Sequence, residues 1–431
     1  MAVTARSIAG ALLALLGPEG LSDDDASRAR AAVDGLVPRW VARPASLEQV
    51  CGVLALAHDA ELAVVPRGSG SSLELGHPPA RADLVLDLRG LDRVLEWSPD
   101  DLTVTVEAGI TAGALARRLD ARRQLLPLDP PGAGARTLGG LAATNASGPL
   151  RARYGTLRDL LLGVRFVQAD GVLTWGGAKV VKSVSGYDVP KLMIGALGTL
   201  GVLGELTLRL HPRPEAEGAW LVTAARPADA QAFVVALLDS PLQPNRVELL
   251  DGAMLGACGL GPAAAAVAVG IGSVADAVRA QGEAVVALAR RAGSTVAPTP
   301  EDFWARYERE ATRGDVRLRV ATGVDGLAAA LDALARADAG ARAGGCAALG
   351  LLDVALGVAE PPAVAAVVAR LRELVAPAGG GVVVQRAPRA VRAALDPWGP
   401  VDAGPLALMR GLKDAFDPRR VLNPGRFVGG L

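Results

Sequence analysis

Between residues 46 and about 213 the apolar and polar positions follow regular periods. Ser46 precedes Val50, Val53, Leu54 and Ala57, which share one helical face, so a helix capped by Ser46 is predicted. Residues 62–65 read as a short strand running into Pro66-Arg67-Gly68-Ser69-Gly70-Ser71-Ser72. Further strands are predicted at 84–88 and 102–107. In the second of these, Leu102, Val104 and Val106 alternate with Thr103, Thr105 and Glu107, the period of a half-buried strand. Thr111 opens a helix to Arg122, and strands fit 163–168 and 201–210. The pattern changes at His211-Pro212-Arg213-Pro214, a linker signal. From 215 to 395 short apolar runs alternate with Ala-rich helices such as 274–292 and 362–375, an α+β pattern.

Composition narrows what these elements can serve. The 431 residues suffice for two to three compact units that need no disulfide or metal to hold a core. Lys+Arg and Asp+Glu both number 45, and a net charge of zero argues against a nucleic-acid binder. Lys occurs only at Lys179, Lys182, Lys191 and Lys413; the other 41 of the 45 basic residues are Arg. Cys51, Cys258 and Cys346 are scattered, which argues against a disulfide framework or an iron–sulfur site within this chain. His58, His77 and His211 are the only histidines, so the second half lacks imidazole for metal or acid–base chemistry. The apolar run at 8–16 is too short to span a bilayer and is followed by Asp23-Asp24-Asp25. A short amphipathic helix in a soluble, cytoplasmic protein without a transmembrane segment is expected.

Three glycine-rich stretches carry the candidate chemistry. In 66–72, two glycines between small hydroxyl residues let backbone N–H groups converge on an anion, with Arg67 and the hydroxyls as further donors. A dinucleotide loop of the Rossmann kind would need glycine where Leu73 stands and a helix directly after; Gly76, His77 and two prolines follow instead. A tight turn explains this loop, taken alone, about as well. The second stretch runs from Asp129-Pro130-Pro131 through Thr137-Leu138-Gly139-Gly140 and Asn145-Ala146-Ser147-Gly148 to Arg158-Asp159. Its glycine pairs let backbone lie against a large planar ligand. The third is Gly176-Gly177-Ala178-Lys179-Val180-Val181-Lys182-Ser183-Val184-Ser185-Gly186-Tyr187-Asp188, followed by Gly198-Thr199-Leu200-Gly201-Val202.

In this order, and with the terminal Asp417-Pro418-Arg419-Arg420-Val421-Leu422-Asn423-Pro424-Gly425-Arg426-Phe427, the motifs resemble the vanillyl-alcohol-oxidase or PCMH-type FAD-binding family. Within it they are most like the FAD-binding subunits of glycolate oxidase complexes. The resemblance is strong over 38–213 and about the last twenty residues, and faint over 215–395. It implies an α+β fold: an N-terminal helical segment (1–37), an FAD-binding domain of two α+β subdomains (38–213), an α+β cap (214–400) and a C-terminal segment returning to the flavin (401–431). It implies that Arg67, Gly68, Ser69, Gly70, Ser71 and Ser72 hold the pyrophosphate. Pro131, Thr137, Gly139, Gly140, Asn145, Ser147 and Gly148 line the flavin and its diphosphate. Val202 meets the adenine end through its backbone, and Asn423 approaches the flavin ring.

Departures from the family pattern refine the expectation. Members with a covalent flavin often carry His in the pyrophosphate loop; Ser71 stands there, so FAD is expected to be non-covalent. Ser183 stands where relatives usually have Asn. A 2-hydroxy acid can reduce a flavin only if its hydroxyl proton has an acceptor. The cap lacks the histidine cluster of catalytic large subunits, leaving Asp, Glu, Tyr307 or water. Arg246, Arg386 and Arg389 are candidates for a substrate carboxylate, although solvated surface is the commoner fate of so many arginines. Trp398 reads as packing before lid. The resulting expectation is an FAD-dependent oxidoreductase subunit that transfers electrons beside a larger catalytic flavin subunit and an iron–sulfur subunit, acting on a small 2-hydroxy acid. Contact with the inner membrane would be peripheral and through partners. A self-sufficient FAD oxidase or dehydrogenase, and a flavin-bearing structural subunit without turnover, are the alternatives. Lys182 is singled out because three of the four lysines fall within 179–191, where a compact ammonium suits a narrow site.

Overall fold

The computed structural model describes residues 5–178 and 186–431, so Lys179, Lys182 and Ser183 lie outside the described residues. Trp40–Ala42, Leu84–Asp87 and Val64–Arg67 form a parallel sheet, with Leu21–Ser22 antiparallel at one edge. Leu84, Val85 and Leu86 are consecutive and all buried, as expected of a strand covered on both faces. Helices Ala5–Leu16 and Leu47–Asp59 pack on this sheet. The second begins as predicted, Ser46 Oγ accepting from Gln49 N at 3.4 Å.

The second sheet runs Val94–Ser98, Thr103–Glu107, Val202–Arg209, Leu161–Val167, Leu173–Gly177, antiparallel throughout. Its period-two pattern sends Val104, Val106, Leu206 and Leu208 onto a core shared with helices Ala112–Leu119 and Leu138–Thr144. Thr105 and Thr207 meet on the opposite face, Oγ1 to Oγ1 at 3.0 Å. Residues 139–140 thus lie in the first turn of a helix, an element the sequence reading did not place there. Thr137 caps that helix by accepting from Gly140 N.

After His211–Pro212, a short strand paired with Gln124–Leu125, the chain builds an eight-stranded antiparallel sheet, with Arg246–Asp251, Arg342–Cys346 and Leu351–Ala355 at its centre. Helices Pro227–Leu238, Ala275–Arg291, Leu327–Ala337 and Pro361–Val375 cover one face, where Val247, Leu249, Leu318 and Val320 point. The alternate residues Glu248, Arg317 and Arg319 therefore fall on the other face. The sequence named only two of these helices and placed no strand order here, because apolar runs do not encode which strand pairs with which.

Helix Ala403–Phe416 then returns the chain to the first sheet: Val64 N donates to Val421 O at 2.7 Å and Asn423 N to Val64 O at 3.0 Å. A buried ion pair also ties the cap to the N-terminal region. Arg392 binds Asp34 and donates further to Ala387 O (2.8 Å) and Gly76 O (3.2 Å). Asp34→Ala strands that guanidinium in the interior. A loss of about 3–5 kcal/mol is expected, measured as a lower urea midpoint; a loss below about 1 kcal/mol would show that the pair does not join these units.

Candidate functional site

The loop at 68–72 follows a parallel strand and enters no helix, consistent with its sequence. Three cavities meet there. One of about 60 Å³ lies among Thr137, Gly139, Gly140, Gly198 and Val202, and one of about 70 Å³ beside residues 66–73, Asn423 and Arg426. The third, about 380 Å³, lies between Ser69, Ser71, Ser72, Pro131, Arg136 and Ser147 below and Arg317, Arg319, Asp353 and Arg386 of the cap sheet above. The first two share 66–68, Gly140, Ala143 and Leu197; the last two share Ser69, Ser71, Ser72 and Thr144. They form one groove.

Its narrow end exists because two residues lack a Cβ. A methyl at Gly68 would collide with Thr137 Oγ1, and one at Gly139 would come within 2.8 Å of Ala108 Cβ. The C-terminal return supplies the adjoining wall. Buried Lys413 Nζ donates to Thr199 O (2.7 Å), Leu422 O (2.9 Å) and Asp417 Oδ2 (2.6 Å), while Asp417 accepts from Val421 N and Leu422 N. This clasp sets Asn423 in the left-handed region (φ 43°), with its Nδ2 donating to Leu197 O at 2.7 Å. Arg426 reaches back under the loop to the carbonyls of Ser72 and Leu73.

Buried polar atoms without a partner collect along the groove: Arg67 Nε, Arg136 Nε, Ser147 Oγ, Asn423 Oδ1 and Arg426 Nη1, with Asn145 Oδ1 nearby. Leaving such groups unsatisfied costs about 1–3 kcal/mol each, so a groove that gathers them is built for a guest. Burial lowers the Arg426 guanidinium to about 10; burial, then neighbouring Arg317 and Arg319, lowers Arg136 to about 10. A guest with phosphate oxygens at the loop and ring carbonyl and N–H groups beyond it matches both the cations and the orphaned acceptors. These residues fit FAD.

Most residues singled out from sequence line this groove: Arg67 to Ser72, Pro131, Thr137, Gly139, Gly140, Ser147, Val202 and Asn423. Gly148 sits outside the lining, pressed against the carbonyl of Asp129, and Asn145 caps helix Leu138–Thr144. Arg386 lines the large cavity, paired with Glu74 at 2.7 Å. Arg246 is held away from it by Asp129, Glu217 and the Trp304 ring; Arg389 does not line it either. Trp398 packs on Phe427 and donates to Arg426 O. Sequence reasoning missed Arg136, Arg317, Arg319, Arg426 and Lys413. Arg426 lies inside the terminal motif, and Lys413 is one of only four lysines, a rarity that could have singled it out.

Residues 38–177 match the FAD binding domain family, and residues 388–427 match the C-terminal domain of FAD linked oxidases. The chain is an FAD-binding flavoprotein. It is 30% identical over 245 residues to glycolate oxidase subunit GlcD of Bacillus subtilis, covering 56% of this chain and 52% of that protein. It is 34% identical to a probable mitochondrial D-lactate dehydrogenase of Danio rerio (56% and 50% covered) and 33% identical to glycolate oxidase subunit GlcE of Escherichia coli (42% and 50% covered). The chain spans about half the length of the curated relatives it matches. Its fold is of the PCMH type: p-cresol methylhydroxylase superposes with a TM-score of 0.78 at 16% identity, covering 98% of this chain and 97% of that one. Alkyldihydroxyacetonephosphate synthase gives 0.76 at 18% identity, with 98% and 86% covered.

Behind the cavity, on the same face of the cap sheet, Tyr307 donates to Glu248 Oε2 at 2.6 Å while Oε1 has no partner. Burial pushes the Glu248 carboxyl up to about 8. A free carboxyl loses its proton near 4.5, so between these values the folded protein carries the extra proton and stability falls as pH rises. Glu248→Gln, neutral throughout, is expected to flatten that decline between about pH 5 and 8 in urea titrations; an unchanged slope would contradict it. For the flavoprotein's own groove, Lys413→Ala is expected to weaken FAD retention at least about tenfold, a loss of 1.4 kcal/mol or more, measured by flavin fluorescence after dialysis. Retention equal to the parent's would mean the clasp does not shape the site.

Proposed function

We propose that this flavoprotein is the FAD-bearing subunit of a 2-hydroxy-acid oxidoreductase complex of the glycolate oxidase kind, holding FAD non-covalently. The observation that carries the reading is the charge of the large cavity. Arg136 and Arg317 face it with no ion pair among the described residues, whereas its two carboxylates, Asp353 and Glu74, are each bound to an arginine. An anionic substrate is the guest such a cavity accepts, and a planar carboxylate suits a guanidinium fork. The names of the relatives, glycolate oxidase subunits and D-lactate dehydrogenases, point to the same substrate class.

FAD when bound supplies the two-electron acceptor. The residues of this chain hold and orient: Arg67 and the hydroxyls of 69–72 at the pyrophosphate, Arg136 and Arg317 at the substrate carboxylate. No His or Cys lines the groove among the described residues, which supports a non-covalent flavin. A proton acceptor for the substrate hydroxyl is less well provided, since Asp353 is fixed by Arg319 at 2.9 and 3.1 Å. That supports dependence on a larger catalytic flavin subunit, with an iron–sulfur subunit to carry electrons onward. The D-lactate dehydrogenase relatives favour a second reading, a self-sufficient dehydrogenase.

Acid or heat is expected to release intact FAD, one per chain. Flavin fluorescence that remains on the polypeptide in a denaturing gel would contradict the non-covalent reading. Anaerobic mixing of the isolated chain with glycolate or D-lactate is expected to leave the flavin oxidised, and partner subunits to restore reduction. Rapid bleaching by substrate alone would replace the subunit reading with the self-sufficient one.

A further inference from the structure

A second polar cavity, about 460 Å³, opens at the seam between the flavin domain and the cap and shares no lining residue with the groove. Its organising residue is Asn245, buried on the cap sheet. Asn245 Oδ1 accepts from Gly272 N at 2.8 Å, and its Nδ2 donates to Tyr154 OH at 3.0 Å across the seam. Because the Tyr154 oxygen already accepts, its own proton is available to a guest. The Tyr154 ring meets His211 edge-on at 4.9 Å, which fixes both.

Arg153 and Arg209 flank these groups, and among the described residues neither makes an ion pair or a side-chain hydrogen bond. The one lining carboxylate, Asp159, is engaged: its Oδ2 accepts from Thr156 N at 2.8 Å. The cavity therefore offers two guanidiniums, a phenol proton, an imidazole and the Gln281 amide against the single carboxylate of Asp159, an excess of positive charge. Burial, then Arg209 and Arg153, push the His211 imidazole below its ordinary value, in keeping with a positive field there. A neutral guest would leave this excess positive charge uncompensated. Two guanidiniums on different elements, with a hydroxyl and an imidazole beside them, can engage the several outward oxygens of a phosphate at once.

We propose that this seam cavity binds a compact, multivalent anion carrying phosphate groups, at a site separate from the flavin groove. The test uses the purified, FAD-loaded protein titrated calorimetrically with inorganic pyrophosphate at ionic strength held constant with NaCl. Saturable binding of one pyrophosphate per chain is expected, with flavin absorbance unchanged. The double variant Arg153→Ser/Arg209→Ser is expected to raise Kd at least about tenfold, and Tyr154→Phe about threefold, both with full flavin content. Absence of saturable heat, an affinity unchanged by these variants, or displacement of FAD by pyrophosphate would overturn the assignment.

Discussion

Burying an ammonium costs several kcal/mol unless its protons are all taken, and Lys413 meets that condition with three oxygens from three parts of the chain. One belongs to Thr199 in the flavin domain, one to Leu422 near the C-terminus, and one to Asp417, which caps the end of its own helix. Burial lowers the Lys413 pKa, and Asp417 opposes that shift from 2.6 Å. Asp417 in turn receives the backbone N–H groups of Val421 and Leu422. The consequence is positional. Residues 421–423 are pinned beside Val64, the strand whose end becomes the loop 68–72, so Asn423 and Arg426 form a wall of the same groove as the loop. Without the clasp, the groove would lose one side and the support beneath Leu73.

The cap completes the groove by a different device, the alternation of a β-strand. Leu318 and Val320 enter the apolar core while Arg317 and Arg319 face the flavin domain. With Arg136 across the cavity, these side chains repel one another and lose water at the same time. Burial is the larger cause for both Arg136 and Arg317. Asp353 is ion-paired to Arg319 and offsets only part of the burial at Arg317. The uncompensated remainder is a driving force for anion binding in the large cavity.

The flavin domain was legible in sequence because its signals are local. The Ser46 cap, the alternation at 102–107 and the glycine loop each declare themselves within a few residues, and all three recur in the structure. What escaped depends on partners distant in sequence. Gly139 is glycine because Ala108 stands against it, and nothing near Gly139 says so. Arg317 and Arg136 are 181 positions apart and become one feature only when two domains close over a cavity. Lys413 was visible as a rare residue, but its three acceptors were not. The strand order of the cap, set by non-local pairing among nearly uniform apolar runs, left no trace that a reading of patterns could use.

The central claim is that one groove, walled jointly by the loop at 66–73 and the returning C-terminus, holds the FAD. Hydrogen–deuterium exchange with and without FAD measures this directly. The account predicts that FAD slows exchange together in 66–73, 138–144 and 421–426. Protection of the loop with exchange at 421–426 unchanged would contradict it, because the C-terminal segment would then be a neighbour of the site and no part of its wall.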